Sequence, residues 1–143
     1  GSLPPGNASR GRVIFHTNRA TCSLCHRVLG KGGTLGPDLS KIGAIRKRRD
    51  LLEAIIFPDA TVVNGYENYV IETTGGGSHM GLIQRQTPEA VYLSNAGQRE
   101  QRVARAKIKK MFRAPVSAMP VGLDQLLAPG QLADLVAFLE SCQ

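Results

Sequence analysis

Five residues, Cys22-Ser23-Leu24-Cys25-His26, constrain this chain more than anything else in it. Two thiols three positions apart, followed at once by an imidazole, form the attachment pattern of c-type haem. The cysteines reach the two vinyl groups on one edge of the macrocycle and bond covalently, while the adjacent histidine swings under the iron as an axial ligand. A redox dithiol and half of a zinc site are the other chemistries open to such a motif. A thioredoxin-like dithiol belongs in a βαβ setting, whereas here helical patterns and a glycine-rich loop flank it. Zinc would need two more ligands from Cys142, His16, His79 and scattered carboxylates, and the chain has no second paired motif. The odd cysteine, Cys142, has no basic or histidine neighbour in sequence to activate it and reads as a bystander.

The 143 residues suffice for one domain, and 42% hydrophobic with 20% charged residues is the composition of a chain that packs a core. No apolar run approaches the roughly 20 residues that span a bilayer. The start, Gly1-Ser2-Leu3-Pro4-Pro5-Gly6, lacks the regions of a signal peptide, and Gly1-Ser2 reads as a cloning remnant, so an export signal, anchor or neighbouring domain is compatible with it.

Residues 1–7 read as a disordered lead-in, and residues 8–143 as a single domain. Val13, Ile14 and Phe15 predict a short helix from Ala8, entered through Asn7 or Ser9. Gly30 to Pro37 is a loop too rich in glycine for regular structure, leading to Asp38 as a cap. Leu39, Ile42 and Ile45 fall at helical spacing, and a second helix carries Leu51 to Ile56 until Pro58 stops it. Then β-type residues take over. Tyr66 to Thr73, Met80 to Ile83, Val91 to Leu93 and Gln101 to Ala106 alternate with turn signals and predict an antiparallel β-meander over about 66–106. Ile108 to Phe112 is ambiguous, residues 114–120 form an extended loop, and two helical pieces close the chain. The last, Gln131 to Ser141, lines up Leu132, Leu135, Val136 and Leu139 after Pro129-Gly130.

An axial histidine leaves one iron position for a second ligand. Met119, in the loop Ser117-Ala118-Met119-Pro120, has no competing secondary structure and is the first choice. His79, His16, Met80, Met111 and an open position are the alternatives; Met80 falls in the β-meander and Met111 in an apolar patch beside Phe112. Gly36-Pro37 turns the chain close to His26, where a carbonyl could hold the second ring nitrogen. Phe15, Leu35, Leu39, Ile55, Phe138 and Leu139 would serve equally as walls of a haem pocket or as ordinary core.

Several motifs occur in a specific order: Gly11 to Phe15, Cys22 to His26, Gly36-Pro37-Asp38-Leu39, Leu51 to Pro58, Gly65-Tyr66-Glu67-Asn68-Tyr69 and Ser117 to Pro120. Together they resemble the Planctomycetes and Verrucomicrobia type of haem-binding domain, within the class I cytochrome c superfamily, over about residues 8–139. Ala118 stands where that family more often shows leucine. The resemblance implies a mainly α protein: a class I cytochrome c fold with a small β-meander inserted before the distal methionine loop. It implies one haem c held by Cys22 and Cys25, His26 as proximal ligand with the Pro37 carbonyl behind it, and Met119 as distal ligand. It also implies export to the periplasm and, in many such domains, fusion to a dehydrogenase-like propeller module.

The net charge of +7 concentrates in Arg46 to Arg49 and in the stretch from Arg99 to Arg113. With no tryptophan and no recognised binding motif, nucleic acid is not an expected partner. A basic face suits an acidic redox partner. No acid, base or nucleophile constellation points to catalysis, and one-electron transfer is the expected role. A gas-binding sensor, in which the methionine is absent from the iron or easily displaced by CO or NO, is the alternative.

Overall fold

In the computed structural model, which describes residues 3–17, 19–96 and 98–143, the elements of residues 1–61 and 120–143 make one unit and those of residues 62–119 another. Gly1 and Ser2, read as a cloning remnant, lie outside the described residues. The first unit contains α1 (Ala8–Thr17), the single turn α2 (Cys22–Cys25), two-residue strands β1 (Arg27–Val28) and β2 (Lys31–Gly32), α3 (Ile42–Ile45), α4 (Arg48–Ile56) and α5 (Pro129–Ser141). The second contains β3 (Asn68–Thr73), β4 (Ser78–Gln86), β5 (Ala90–Asn95), β6 (Gln98–Ala104), a 3-10 turn (Arg105–Lys107) and β7 (Ile108–Arg113).

In the first unit α1 packs on α5. Asn7 caps α1, its side-chain Oδ1 accepting from Arg10 N at 2.9 Å. The helix buries Ile14 and Phe15, and the Phe15 ring lies 5.5 Å from that of Phe138 on α5. The crossing is closest at Gly11, where a Cβ would stand 1.9 Å from Asp134 O and 2.7 Å from Phe138 Cβ. Only a residue without a side chain lets the two backbones approach so far.

Asp134 clamps the same crossing. Its carboxylate accepts from Asn7 N at 2.7 Å and from Arg10 Nε at 2.8 Å. Residues 3–7, expected as a disordered lead-in, also meet α4, since Arg48 Nη2 donates to Leu3 O at 3.2 Å and Pro4 O at 2.6 Å. The Arg10 side chain, followed by the Asn7 amide, holds the Asp134 carboxyl below the usual carboxylate range. A depressed folded-state pKa means that the unfolded chain binds the extra proton first, so this stability is present above the ordinary carboxyl pKa of about 3.9 and is lost as pH falls through the folded value. Thermal melts from pH 6 down to pH 3 should fall more steeply in the wild type than in Asp134→Asn. Parallel slopes would refute the clamp.

The second unit overturns the expectation of a mainly α protein: the structure is 34% helix and 27% strand, with a five-stranded antiparallel sheet in the order β6-β5-β4-β3-β7. Four strands form the expected meander, and β7 returns to pair with β3 (Val70 with Phe112, Ile71 with Met111). The sheet buries its own core. Ile71, Val91, Leu93 and Val103 are almost solvent-free, packed with Ile83 and Ile108, and all six come from this unit. Among the described residues no helix is long and apolar enough to cross a membrane.

Candidate cofactor site

Thr21, at φ 54°, turns the chain into the left-handed region immediately before the motif, and α2 then makes one turn that ends when His26 goes extended. Positions three apart on a helical turn share a face, so Cys22 and Cys25 present their thiols together. Both are free and half-buried. Burial pushes the Cys22 thiol up to about 11 and raises that of Cys25 as well. Thiols that hold their protons at neutral pH are poor groups for disulfide exchange, which needs a depressed pKa.

The loop after the motif folds back under it. Gly33 N donates to Ser23 O at 2.9 Å, Gly36 N to Cys25 O at 2.8 Å and Leu39 N to Arg27 O at 2.8 Å. Its far end is tied by Asp38, whose Oδ1 accepts from both Ser40 N and Ser40 Oγ; the expected helix cap is a local turn instead. The tip of the β1–β2 hairpin is Leu29-Gly30, both at positive φ, with Leu29 N donating to Ser40 Oγ at 2.7 Å.

These ties set the His26 ring. Its Nδ1 lies 2.8 Å from Pro37 O. A carbonyl can only accept, so Nδ1 carries the hydrogen and Nε2 keeps its lone pair. Burial lowers the His26 pKa more than the Pro37 carbonyl raises it, keeping the ring neutral at pH 7. Gly36 lies against the ring: a Cβ there would be 2.5 Å from Cε1 and 2.7 Å from Nδ1. Sequence reading marked Gly36-Pro37 as a turn but missed this contact; the signal was a glycine directly before the proline expected to hold the histidine.

The structure thus brings Cys22, Cys25, His26 and Pro37 together in the first unit. Met119 is the last residue of the second unit, half-buried, with its N–H donating to Ser117 Oγ at 3.1 Å. Among the other candidates, His16 packs its ring edge-on to Phe15, with a pKa lowered by burial and then by Lys31 and Arg12. His79 Nδ1 is 3.4 Å from Gln101 Oε1, and Met80 and Met111 are exposed on β4 and β7. Phe15, Ile55, Phe138 and Leu139 are buried, while Leu35 and Leu39 are half-buried. Cys142 is buried, its Sγ donating to Phe138 O.

Covalent haem c calls for two thiols on one face and a neutral imidazole with a free ring nitrogen, and the donor set here meets both requirements. The family model described as Cytochrome c, whose members bind covalently attached haem c with its iron, matches residues 8–86. Comparison with curated proteins gives no match. The matched stretch covers more than half of the chain and contains the whole thiol–imidazole arrangement, and on that ground the chain belongs to the cytochrome c family, haem-binding proteins of electron transfer.

Proposed function

We propose that this chain is a monohaem electron-transfer domain in which Cys22 and Cys25 form the thioether bonds, His26 Nε2 is the proximal ligand and Met119 the distal one. The observation that carries this reading is the His26 ring, held by the Pro37 carbonyl on one nitrogen and flanked by Gly36, which leaves its other nitrogen as a lone-pair donor. Haem c, when bound, supplies a one-electron ferric–ferrous couple. The Pro37 carbonyl raises the basicity of the imidazole and fixes its tautomer, and a methionine sulfur favours the reduced state relative to a second histidine. Ser117 restrains the backbone that presents Met119. The motif order extends the reading to the Planctomycetes and Verrucomicrobia type of domain. The domain serves a periplasmic dehydrogenase or a respiratory chain, as a separate carrier or a fused module, and its basic segments suit a partner with an acidic docking surface.

Absorption spectra of the matured protein test the ligand pair. The wild type should be low-spin, show the charge-transfer band of methionine on ferric iron, and ignore CO when reduced. Met119→Ala should lose the band and bind CO. A high-spin wild type, or one that takes up CO readily, would refute Met119 ligation and favour the gas-sensing alternative.

A further inference from the structure

We propose that the sheet unit carries a second binding site, for a small oxyanion presenting a phosphate or carboxylate group, in the hollow between the β3–β4 turn and the 3-10 turn that leads into β7. The hollow is open on one side, has a volume of about 380 Å³ and is lined by Thr73, Gly75, His79, Lys107 and the β6 residues 102–104, with no carboxylate among its lining residues. That volume falls within the roughly 300–1,000 Å³ of small-molecule sites. It opens where β3 breaks register with β7, between Glu72 and Thr73, and such bulges re-aim side chains and end strand pairing beside functional sites.

The surroundings are built. Thr74 N donates to Lys107 O at 2.9 Å, fastening the 3-10 turn to the hairpin. Thr73 N donates to Gly77 O at 2.9 Å, and Gln101 on β6 holds His79 on β4. Above the turn there is room, since a Cβ at Gly75 or Gly76 would meet nothing within 4 Å. Arg102 and Lys107 are two exposed cationic residues of this lining, and β6, which carries Arg102, is an edge strand of the sheet. Glu100, the carboxylate nearest along β6, is paired with Arg85 at 3.1 Å. A guanidinium and an ammonium carried by residues that line one hollow are donors of the kind that recognises oxyanions.

The test is titration of the haem-loaded full chain, in its reduced form, with inorganic phosphate and separately with succinate, at ionic strength held constant with sodium chloride. Amide shifts read by NMR should saturate with Kd at or below about 1 mM. They should be confined to residues 73–79 and 101–107, and the anion that binds more tightly identifies the natural headgroup. Arg102→Ala and Lys107→Ala should each weaken binding by about tenfold, with Arg46→Ala, in the other unit, as an unchanged control. Shifts that stay linear, that chloride alone reproduces, or that Arg102→Ala and Lys107→Ala leave intact would overturn the site.

Discussion

Gly36→Val should abolish the low-spin haem spectrum of the matured protein at pH 7. A Cβ at this position lands 2.5 Å from Cε1 and 2.7 Å from Nδ1 of His26, and neither side can yield. The Gly36 backbone is tied to Cys25 O, and the ring to Pro37 O. The imidazole must rotate off the carbonyl, losing both its tautomer control and its aim. Changes behind a metal ligand typically cost about 10- to 100-fold in affinity or activity, and Gly36→Ala should already show a mixture of spin states. The sharper reading comes from comparison with Gly130→Ala, where a Cβ meets nothing within 4 Å and the spectrum should be unchanged. If Gly36→Val keeps a wild-type spectrum, the ring is not positioned by this contact.

The second large effect is on stability. Gly11→Val puts a branched side chain where Asp134 O is 1.9 Å away and Phe138 Cβ 2.7 Å away. The first obstacle is backbone inside α5, so α1 has to leave. Overpacking of a core commonly destabilises by about 1–3 kcal/mol; here helix separation also uncovers Phe15 and breaks the Asp134 clamp. A loss of about 3 kcal/mol or more is expected, a large part of the roughly 5–15 kcal/mol that holds an ordinary domain together. Urea unfolding followed by far-UV circular dichroism measures it. Gly11→Ala should fall between the wild type and the valine variant, and a midpoint equal to that of the wild type would mean that α1 and α5 are not in backbone contact.

Different parts of this molecule were legible in the sequence to different degrees. The motif at Cys22 to His26 speaks for itself because its chemistry demands an exact spacing, and α1 and α5 follow from apolar residues at helical period with Asn7 and Pro129 at their starts. Strands β3 and β5 announced themselves through β-branched and aromatic residues, and β4 and β6 mainly through the turn signals that separate them. The balance of helix and sheet did not follow. Strand β7 reads Ile-Lys-Lys-Met-Phe-Arg, without the alternation of a half-buried strand, and only its pairing with β3 decides its state. The Leu29-Gly30 hairpin was equally hidden, because leucine is a poor residue for positive φ and carries none of the usual turn signature. The contact of Gly36 with His26 depends on how the loop folds back, which no local pattern encodes.

The crossing of α1 and α5 has a consequence for how the chain is made. Its two partners are separated by nearly the whole sequence, with the complete sheet between them. Strands β3 to β6 close through short hairpins, and contacts of low sequence separation form fast, whereas the α1–α5 pair must first close a loop spanning most of the polypeptide. During synthesis from the N-terminus, the sheet can therefore finish before α5 has left the ribosome. Until then α1 waits without its packing partner, and Phe15 and Ile14 stay uncovered. Whatever keeps such a nascent chain from aggregating has to act on α1, and has to act until α5 arrives.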